Sequence, residues 1–112
     1  DLLHHPGALG AAHITGGGLV DNIPRILPAG TEVVIDRSTW NVPPVFEFIG
    51  TKGEVDRDEM YRVFNMGIGY TIIVRPQDVD TTLTALKAAR QPGTVIGKVA
   101  ATKGKPCVRL IG

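Results

Sequence analysis

The stretch of sequence that decides the fold is Ala12-His13-Ile14-Thr15-Gly16-Gly17-Gly18-Leu19, near the start of the 112-residue chain. Small apolar residues precede it from Ala8 onward and predict a buried strand, while apolar residues at helical spacing follow it. Three consecutive glycines are unfavourable, since each loses roughly 0.5–1 kcal/mol relative to alanine in an ordered element. The stretch therefore predicts a strand, a glycine loop and a helix. The cost of the glycines indicates that the loop needs residues without side chains.

The glycine loop, residues 15–18, has two interpretations. A strand that runs into such a loop and then into a helix leaves backbone N–H groups and the positive helix end facing outward together, which suits an anion. A tight turn between strand and helix would explain the glycines without any ligand. The chain has neither the lysine-bearing loop nor the third glycine of the common nucleotide fingerprints. The residues alone leave both interpretations open.

Two polar residues beside glycines are candidate site residues. His13 could transfer a proton or donate a hydrogen bond near neutral pH, or it could be a core residue that ends an apolar strand. Asn65, in Phe64-Asn65-Met66-Gly67-Ile68-Gly69, could bind a ligand amide or form a turn. Asp21 and Asn22 lie one turn beyond the loop. Either could face a ligand, but the simpler expectation is that both face solvent.

Outward from the loop, the pattern predicts a single α+β domain. Pro24 should shorten or kink the first helix, because proline lacks a backbone donor. Asp56 and Glu59 indicate a capping box at the start of a later helix. The elements predicted after the first helix are strand 31–36, a helix opening at Pro43 and Pro44, the capped helix, strand 70–74, helix 79–89, and strands 94–101 and 107–111 as the two arms of a hairpin. We expect a mixed β-sheet of about five strands packed by about four helices.

Charge and composition argue against several classes of function. A net charge of +1 gives no electrostatic reason to expect a nucleic-acid or membrane partner. No apolar run approaches the roughly 20 residues that cross a bilayer. Cys107 is the only cysteine, so we expect no metal site and interpret Cys107 as a packed strand thiol. These features together favour a cytoplasmic protein.

The first residues, Asp1-Leu2-Leu3-His4-His5-Pro6, include no initiator methionine. Their apolar residues followed by proline are typical of the end of a helix. We interpret the chain as cut from a longer protein.

Two stretches resemble the signatures of the aminoimidazole ribonucleotide (AIR) synthetase family. The first covers residues 12–28 and contains the glycine loop. The second is Glu59-Met60-Tyr61-Arg62-Val63-Phe64-Asn65-Met66-Gly67-Ile68-Gly69. Residues 36–44, with Trp40 in the middle, also fit, so the resemblance covers nearly the whole chain in the right order. Asp21 departs from the pattern mildly, since a Glu is more usual there.

The resemblance implies an ATP-dependent cyclo-ligase of de novo purine biosynthesis. Such an enzyme converts formylglycinamidine ribonucleotide and ATP into AIR, ADP and phosphate. ATP would phosphorylate the formyl oxygen, and the amidine nitrogen would then attack that carbon and expel phosphate. Residues 1–112 would be most of the C-terminal domain, inactive alone. A preceding N-terminal domain would supply most of the residues that bind ATP and Mg²⁺. The enzyme would form a homodimer through that domain.

Carried onto this chain, the resemblance implies a role for each candidate residue. Backbone donors of the loop would bind the substrate, formylglycinamidine ribonucleotide, with Asn65 beside the same cleft and His13 as the candidate for catalytic proton transfer. The implied substrate-binding residues are Thr15, Gly16, Gly17, Gly18 and Asn65. Two alternatives stay open: another ATP-dependent enzyme of the same superfamily, or a non-catalytic ligand-binding module that keeps the fold.

Overall fold

The computed structural model describes residues 8–112. The elements in chain order are β1 (Ala8–His13), α1 (Gly18–Asn22), β2 (Thr31–Asp36), α2 (Pro44–Lys52), α3 (Arg57–Val63), β3 (Tyr70–Val74), α4 (Val79–Ala88), β4 (Gly97–Ala101) and β5 (Cys107–Ile111). Short 3₁₀ turns cover Ile23–Ile26, Arg37–Thr39 and Pro76–Asp78. The α+β class is confirmed, with five strands and four α-helices in this part of the chain. The helix end interpreted at residues 1–6 lies outside the described residues.

The five strands form two sheets rather than one. β1 pairs antiparallel with β3, and His13 lies opposite Tyr70 at one end of that ladder. β2 is the centre of the second sheet, antiparallel to β4 and parallel to β5. The first signature begins in the last two residues of β1, and the second ends directly before β3, so the two signatures meet at one end of the smaller sheet.

The predicted hairpin of β4 and β5 is wrong, because β2 lies between them. The chain does reverse direction after β4, as the turn residues at 103–106 favour. The connecting loop crosses the start of β2, where Thr102 N donates to Gly30 O at 2.9 Å and Gly30 N donates to Gly104 O at 3.2 Å. Turn chemistry sets the reversal, but whether a third strand inserts depends on contacts distant in sequence.

Two helix signals had different outcomes. α1 ends at Asn22 and continues as a 3₁₀ turn that contains Pro24, as the missing proline donor requires. α3 begins directly after Asp56 as expected, but the Asp56 side chain makes no capping hydrogen bond. The helix boundary is therefore confirmed, and the capping box is wrong. Among the described helices, none is long and apolar enough to cross a membrane.

Most of the buried apolar residues form two clusters, and Trp40 packs against both. The larger cluster contains Ala12, Ile14, Leu19, Ile23, Leu27, Val33 and Ile35, and the smaller one contains Met60, Tyr61 and Met66. The Nε1–H of Trp40 donates to Met66 O at 3.1 Å. Burying a side chain such as Ile14 or Leu19 contributes roughly 1.5–3 kcal/mol, so both ends of the glycine loop are anchored in the core. Cys107 is exposed rather than packed, a correction to the sequence interpretation.

Candidate functional site

The glycine loop and the turn at residues 65–69 lie side by side. Ile14 N donates to Gly69 O at 2.9 Å, which joins the end of β1 to the start of β3. A Cβ atom on Gly18 would overlap the carbonyl oxygen of Tyr61 and lie 2.7 Å from that of Phe64, at the end of α3. The fold therefore brings together the two stretches that carry the candidate residues.

Gly17 and Gly18 are required by the fold itself. Gly18 has a φ of 64° and touches the backbone of α3, so a side chain has no room there. Gly17 has a φ of 95°, a conformation that favours glycine, and an added Cβ would lie 2.7 Å from Cβ of Asp21. These two glycines support the turn interpretation.

Gly16 has no such explanation. Its φ lies outside the left-handed range, and an added Cβ would meet no atom of the described residues within 4 Å. Gly69, across the Ile14 hydrogen bond, shares both properties. Neither packing nor backbone geometry requires glycine at position 16, and the open space there leaves room for a ligand to approach the backbone closely.

The loop also presents two backbone donors. Among residues 8–112, no acceptor lies on the amide N–H of Gly16 or Gly17. Gly18 N donates to Thr15 O at 3.0 Å, so the third glycine amide is occupied. α1 has only five residues, and its N-cap, Gly17, provides no side-chain acceptor. The donor capacity of the loop therefore comes from individual N–H groups rather than from a long helix dipole.

Asn22 organises the loop, and the expectation that it faces solvent is wrong. Its side chain is buried, and its Nδ2 donates to the carbonyl oxygens of Gly18 at 2.7 Å, Thr15 at 3.2 Å and Gly16 at 3.4 Å. The hydroxyl of Thr15 donates to Asn22 Oδ1 at 3.1 Å. A signal existed in the sequence, because Asn side chains favour hydrogen bonds to nearby backbone groups over helix interiors. Asp21, by contrast, is exposed as expected.

His13 is exposed at the end of β1, so it is not a core residue. Its ring stacks on that of Tyr70, with 6.1 Å between centroids and 29° between planes. Tyr70 is half exposed and directly opposite in the β1–β3 ladder. The stack places the imidazole at the edge of the loop, where solvent or a ligand can reach it.

Asn65 forms the turn that its sequence context predicts. Its Oδ1 accepts from Gly67 N at 2.8 Å, and its carbonyl oxygen accepts from Ile68 N at 3.0 Å. Met66 and Gly67 have positive φ values of 54° and 100°. Because Oδ1 is occupied, the Nδ2 amide is the part of Asn65 that remains to contact a ligand.

The site lies on an open surface. A groove of about 810 Å³ lies between β3, α4 and β4, and its walls are mostly apolar, but none of His13, residues 15–18 or Asn65 lines it.

The exposed carboxylate of Asp21 lies against Gly17, and its negative charge disfavours a phosphate dianion at that point. In the described part of the chain, no three His, Cys, Asp or Glu side chains are grouped to hold a metal ion.

Comparison with known proteins places this arrangement in a family. The family described as "AIR synthase related protein, C-terminal domain" matches residues 2–107. The chain belongs to that family. The resemblance noted in the sequence is therefore confirmed, and the fold of this AIR synthase related chain agrees with it.

Curated relatives of this AIR synthase related chain include two proteins named phosphoribosylformylglycinamidine cyclo-ligase. The protein of Desulfitobacterium hafniense is 52% identical over 98 residues, which cover 88% of this chain and 29% of the relative. The protein of Oceanobacillus iheyensis is 47% identical over 95 residues, which cover 85% of this chain and 28% of the relative. The chain thus spans less than a third of the length of these relatives.

A solved structure also resembles the chain. The hydrogenase maturation protein HypE of E. coli matches with a TM-score of 0.70 and 25% sequence identity. The match covers 99% of this chain and 33% of HypE. The fold is therefore shared with a protein whose name describes a different role.

Proposed function

We propose that this chain is the C-terminal part of a phosphoribosylformylglycinamidine cyclo-ligase. The observation that carries the proposal is its identity of about half to curated proteins of that name over most of the chain. The adjacent position of the two signature stretches supports it. In this enzyme, formylglycinamidine ribonucleotide and ATP yield AIR, ADP and phosphate.

In the proposed enzyme, the loop is the substrate-facing part of this domain. The N–H groups of Gly16 and Gly17 donate to substrate oxygens, and the bare backbone at Gly16 permits their close approach. Thr15 and Gly18 hold the loop in shape through the Thr15–Gly18 turn. The Nδ2 of Asn65 donates from the neighbouring turn.

His13 is the proposed proton-transfer residue. Ring closure requires the attacking amidine nitrogen to lose a proton, and an exposed imidazole can accept one near neutral pH. The stack on Tyr70 limits the orientations of the ring.

The remaining parts of the proposal concern the rest of the enzyme. ATP would supply the phosphoryl group that activates the formyl oxygen, and Mg²⁺ would offset the negative charge of that phosphoryl group. We assign most of the ATP and Mg²⁺ ligands to the N-terminal domain of the enzyme, on the family resemblance alone. A homodimer and a cytoplasmic location belong to the same proposal and rest on the family resemblance alone.

A second candidate is another enzyme of the same superfamily, and the fold likeness to HypE is the observation that favours it. The identity to HypE is 25%, against 52% and 47% to the two cyclo-ligases. The cyclo-ligase is therefore the stronger proposal.

The test is an assay of the intact enzyme that carries this sequence, with formylglycinamidine ribonucleotide and ATP–Mg²⁺ as substrates. We expect one AIR and one phosphate per ATP consumed. Replacing His13 with Gln should lower kcat by about 10²–10⁴-fold, the usual contribution of a general acid or base. Tyr70→Phe, which keeps the aromatic stack, is the matched control and should change kcat by less than about twofold.

The two parts of this proposal fail separately. A folded wild-type enzyme that forms no AIR would reject the cyclo-ligase assignment. If AIR forms and H13Q retains the wild-type kcat, the assignment stands and the role of His13 is rejected.

A further inference from the structure

Asn22 is one of only two buried polar residues in the described part of the chain, and it is 4% exposed. It is the last residue of α1, yet its side chain turns back toward the loop that precedes the helix. Its Nδ2 contacts three carbonyl oxygens, those of Thr15, Gly16 and Gly18, and its Oδ1 accepts the Thr15 hydroxyl. All hydrogen bonds of this side chain are thus made to the loop.

Loss of these hydrogen bonds would leave a buried amide unsatisfied and lower the free energy of unfolding by roughly 1–3 kcal/mol. The conformations of the loop and of the Asn22 side chain therefore depend on each other. The amide has two hydrogens for three carbonyl oxygens, which therefore converge on one point. Few other conformations of a loop with three glycines would satisfy all of them. Asn22 thereby limits the flexibility that glycine brings.

The direction of the carbonyl oxygens fixes the direction of the amides. In a trans peptide unit, the C=O and the N–H point in opposite directions. The Thr15 carbonyl shares its unit with the Gly16 amide, and the Gly16 carbonyl shares its unit with the Gly17 amide. Because Asn22 holds both carbonyls inward, it turns both amides outward. Neither of these two amides has an acceptor among residues 8–112.

We propose that Asn22 is a positioning residue that aims the N–H groups of Gly16 and Gly17 at an oxygen atom of the substrate. The inference rests on the proposed function, and it concerns the same loop. It assigns Asn22 no contact with the substrate. The chemical class recognised is an uncharged hydrogen-bond-accepting oxygen, such as a carbonyl or hydroxyl oxygen, because the Asp21 carboxylate beside Gly17 disfavours a phosphate dianion.

The test compares Asn22→Asp with Thr82→Val in the intact enzyme. Asp has nearly the same shape as Asn, but it removes both N–H donors and places a second oxygen against the three carbonyls. Thr82, in α4, is the other buried polar residue of the described chain and is 6% exposed. Its hydroxyl donates to the carbonyl oxygen of Asp78, directly before α4, at 2.8 Å, and it makes no hydrogen bond to the glycine loop. Both variants lose a buried hydrogen bond, but only one loses the orientation of the loop.

The assay is run at a temperature where wild type and both variants are folded. There the kcat/KM of N22D for formylglycinamidine ribonucleotide should be about 100-fold below that of wild type, the usual effect of misplacing oxyanion donors. T82V should stay within about twofold of wild type. Equal kcat/KM for N22D, T82V and wild type would overturn the proposal, because it would reduce Asn22 to a structural residue.

A measurement on the wild-type enzyme covers the case in which N22D does not fold. We expect the Gly16 and Gly17 amide protons to shift downfield in NMR spectra when formylglycinamidine ribonucleotide is added. Unchanged Gly16 and Gly17 amides at saturating substrate would overturn the proposal. Wild-type turnover decides the proposed function independently, so the two failures are distinguishable.

Discussion

β1 and β2 each end in a turn that leads into helical structure, and these two turns differ in the acceptors that their backbone N–H groups find. β2 leads into a 3₁₀ turn at Asp36, whose Oδ1 accepts from Ser38 N at 2.9 Å and from Ser38 Oγ at 2.6 Å. β1 leads into the glycine loop, where Gly17 occupies the capping position without a side chain. One turn is closed by its own residues, and the other leaves two amides without a protein acceptor in the described chain.

The contrast separates a structural turn from a candidate binding turn. At Asp36 the hydrogen bonds from the Ser38 side chain and backbone lower the pKa of the carboxyl group, as expected when donors favour the charged form. At the loop, the buried Asn22 side chain donates to carbonyl oxygens. The backbone N–H groups of Gly16 and Gly17 therefore remain available to a ligand. The Asp36 carboxylate accepts from the Ser38 amide of its own turn, whereas the Gly16 and Gly17 amides have no acceptor among the described residues. This difference is our reason to propose ligand binding at residues 15–18.

The largest effect should come from Gly18→Ala, which tests whether the loop is held as tightly as the Asp36 turn. The added Cβ would overlap the Tyr61 carbonyl, and the φ of 64° is strained for alanine. We expect a loss of stability on the order of 3 kcal/mol or more, measured by urea unfolding of this chain. Gly16→Ala is the matched control, because its Cβ meets open space, and it should change stability by less than about 1 kcal/mol. Similar stabilities of G18A and G16A would show that the loop is not constrained by α3.

A smaller effect should come from Asp36→Ala, which removes the acceptor that closes the second turn. The folded-state pKa of Asp36 lies below its unfolded value. Its stabilising contribution is therefore present above the unfolded pKa of about 3.9 and is lost as the pH falls through the folded-state pKa. The urea midpoint of D36A should lie below that of wild type at pH 7, and the two should converge as the pH approaches 2. An equal gap at both pH values would exclude charge as the source.

Much of the fold follows from local sequence. The strands Thr31–Asp36 and Tyr70–Val74 have the predicted bounds, because β-branched and aromatic residues bounded by turns specify them. The insertion of β2 between β4 and β5 could not be predicted, since pairing between distant segments has no local signal. The same limit explains why one expected sheet is two.

The candidate site was predictable in location but not in detail. The sequence indicated the loop, His13 and Asn65, and the structure brings these segments together. Three glycines that look alike in sequence have different causes, because the clash at Gly18 involves a helix more than 40 residues away. Asn22 was missed for a related reason: its burial depends on how the loop folds back on α1.

The most direct test of the central claim is turnover by the Gly16→Val variant of the intact enzyme. Gly16 is the loop glycine that the fold does not require, whereas substitution of Gly17 would strain the backbone and confuse the result. The account predicts a melting temperature close to that of wild type and a kcat/KM lower by about 100-fold or more, because the valine side chain keeps the substrate from the backbone donors. A folded G16V enzyme with wild-type kcat/KM would contradict the claim that the substrate approaches the backbone of this loop.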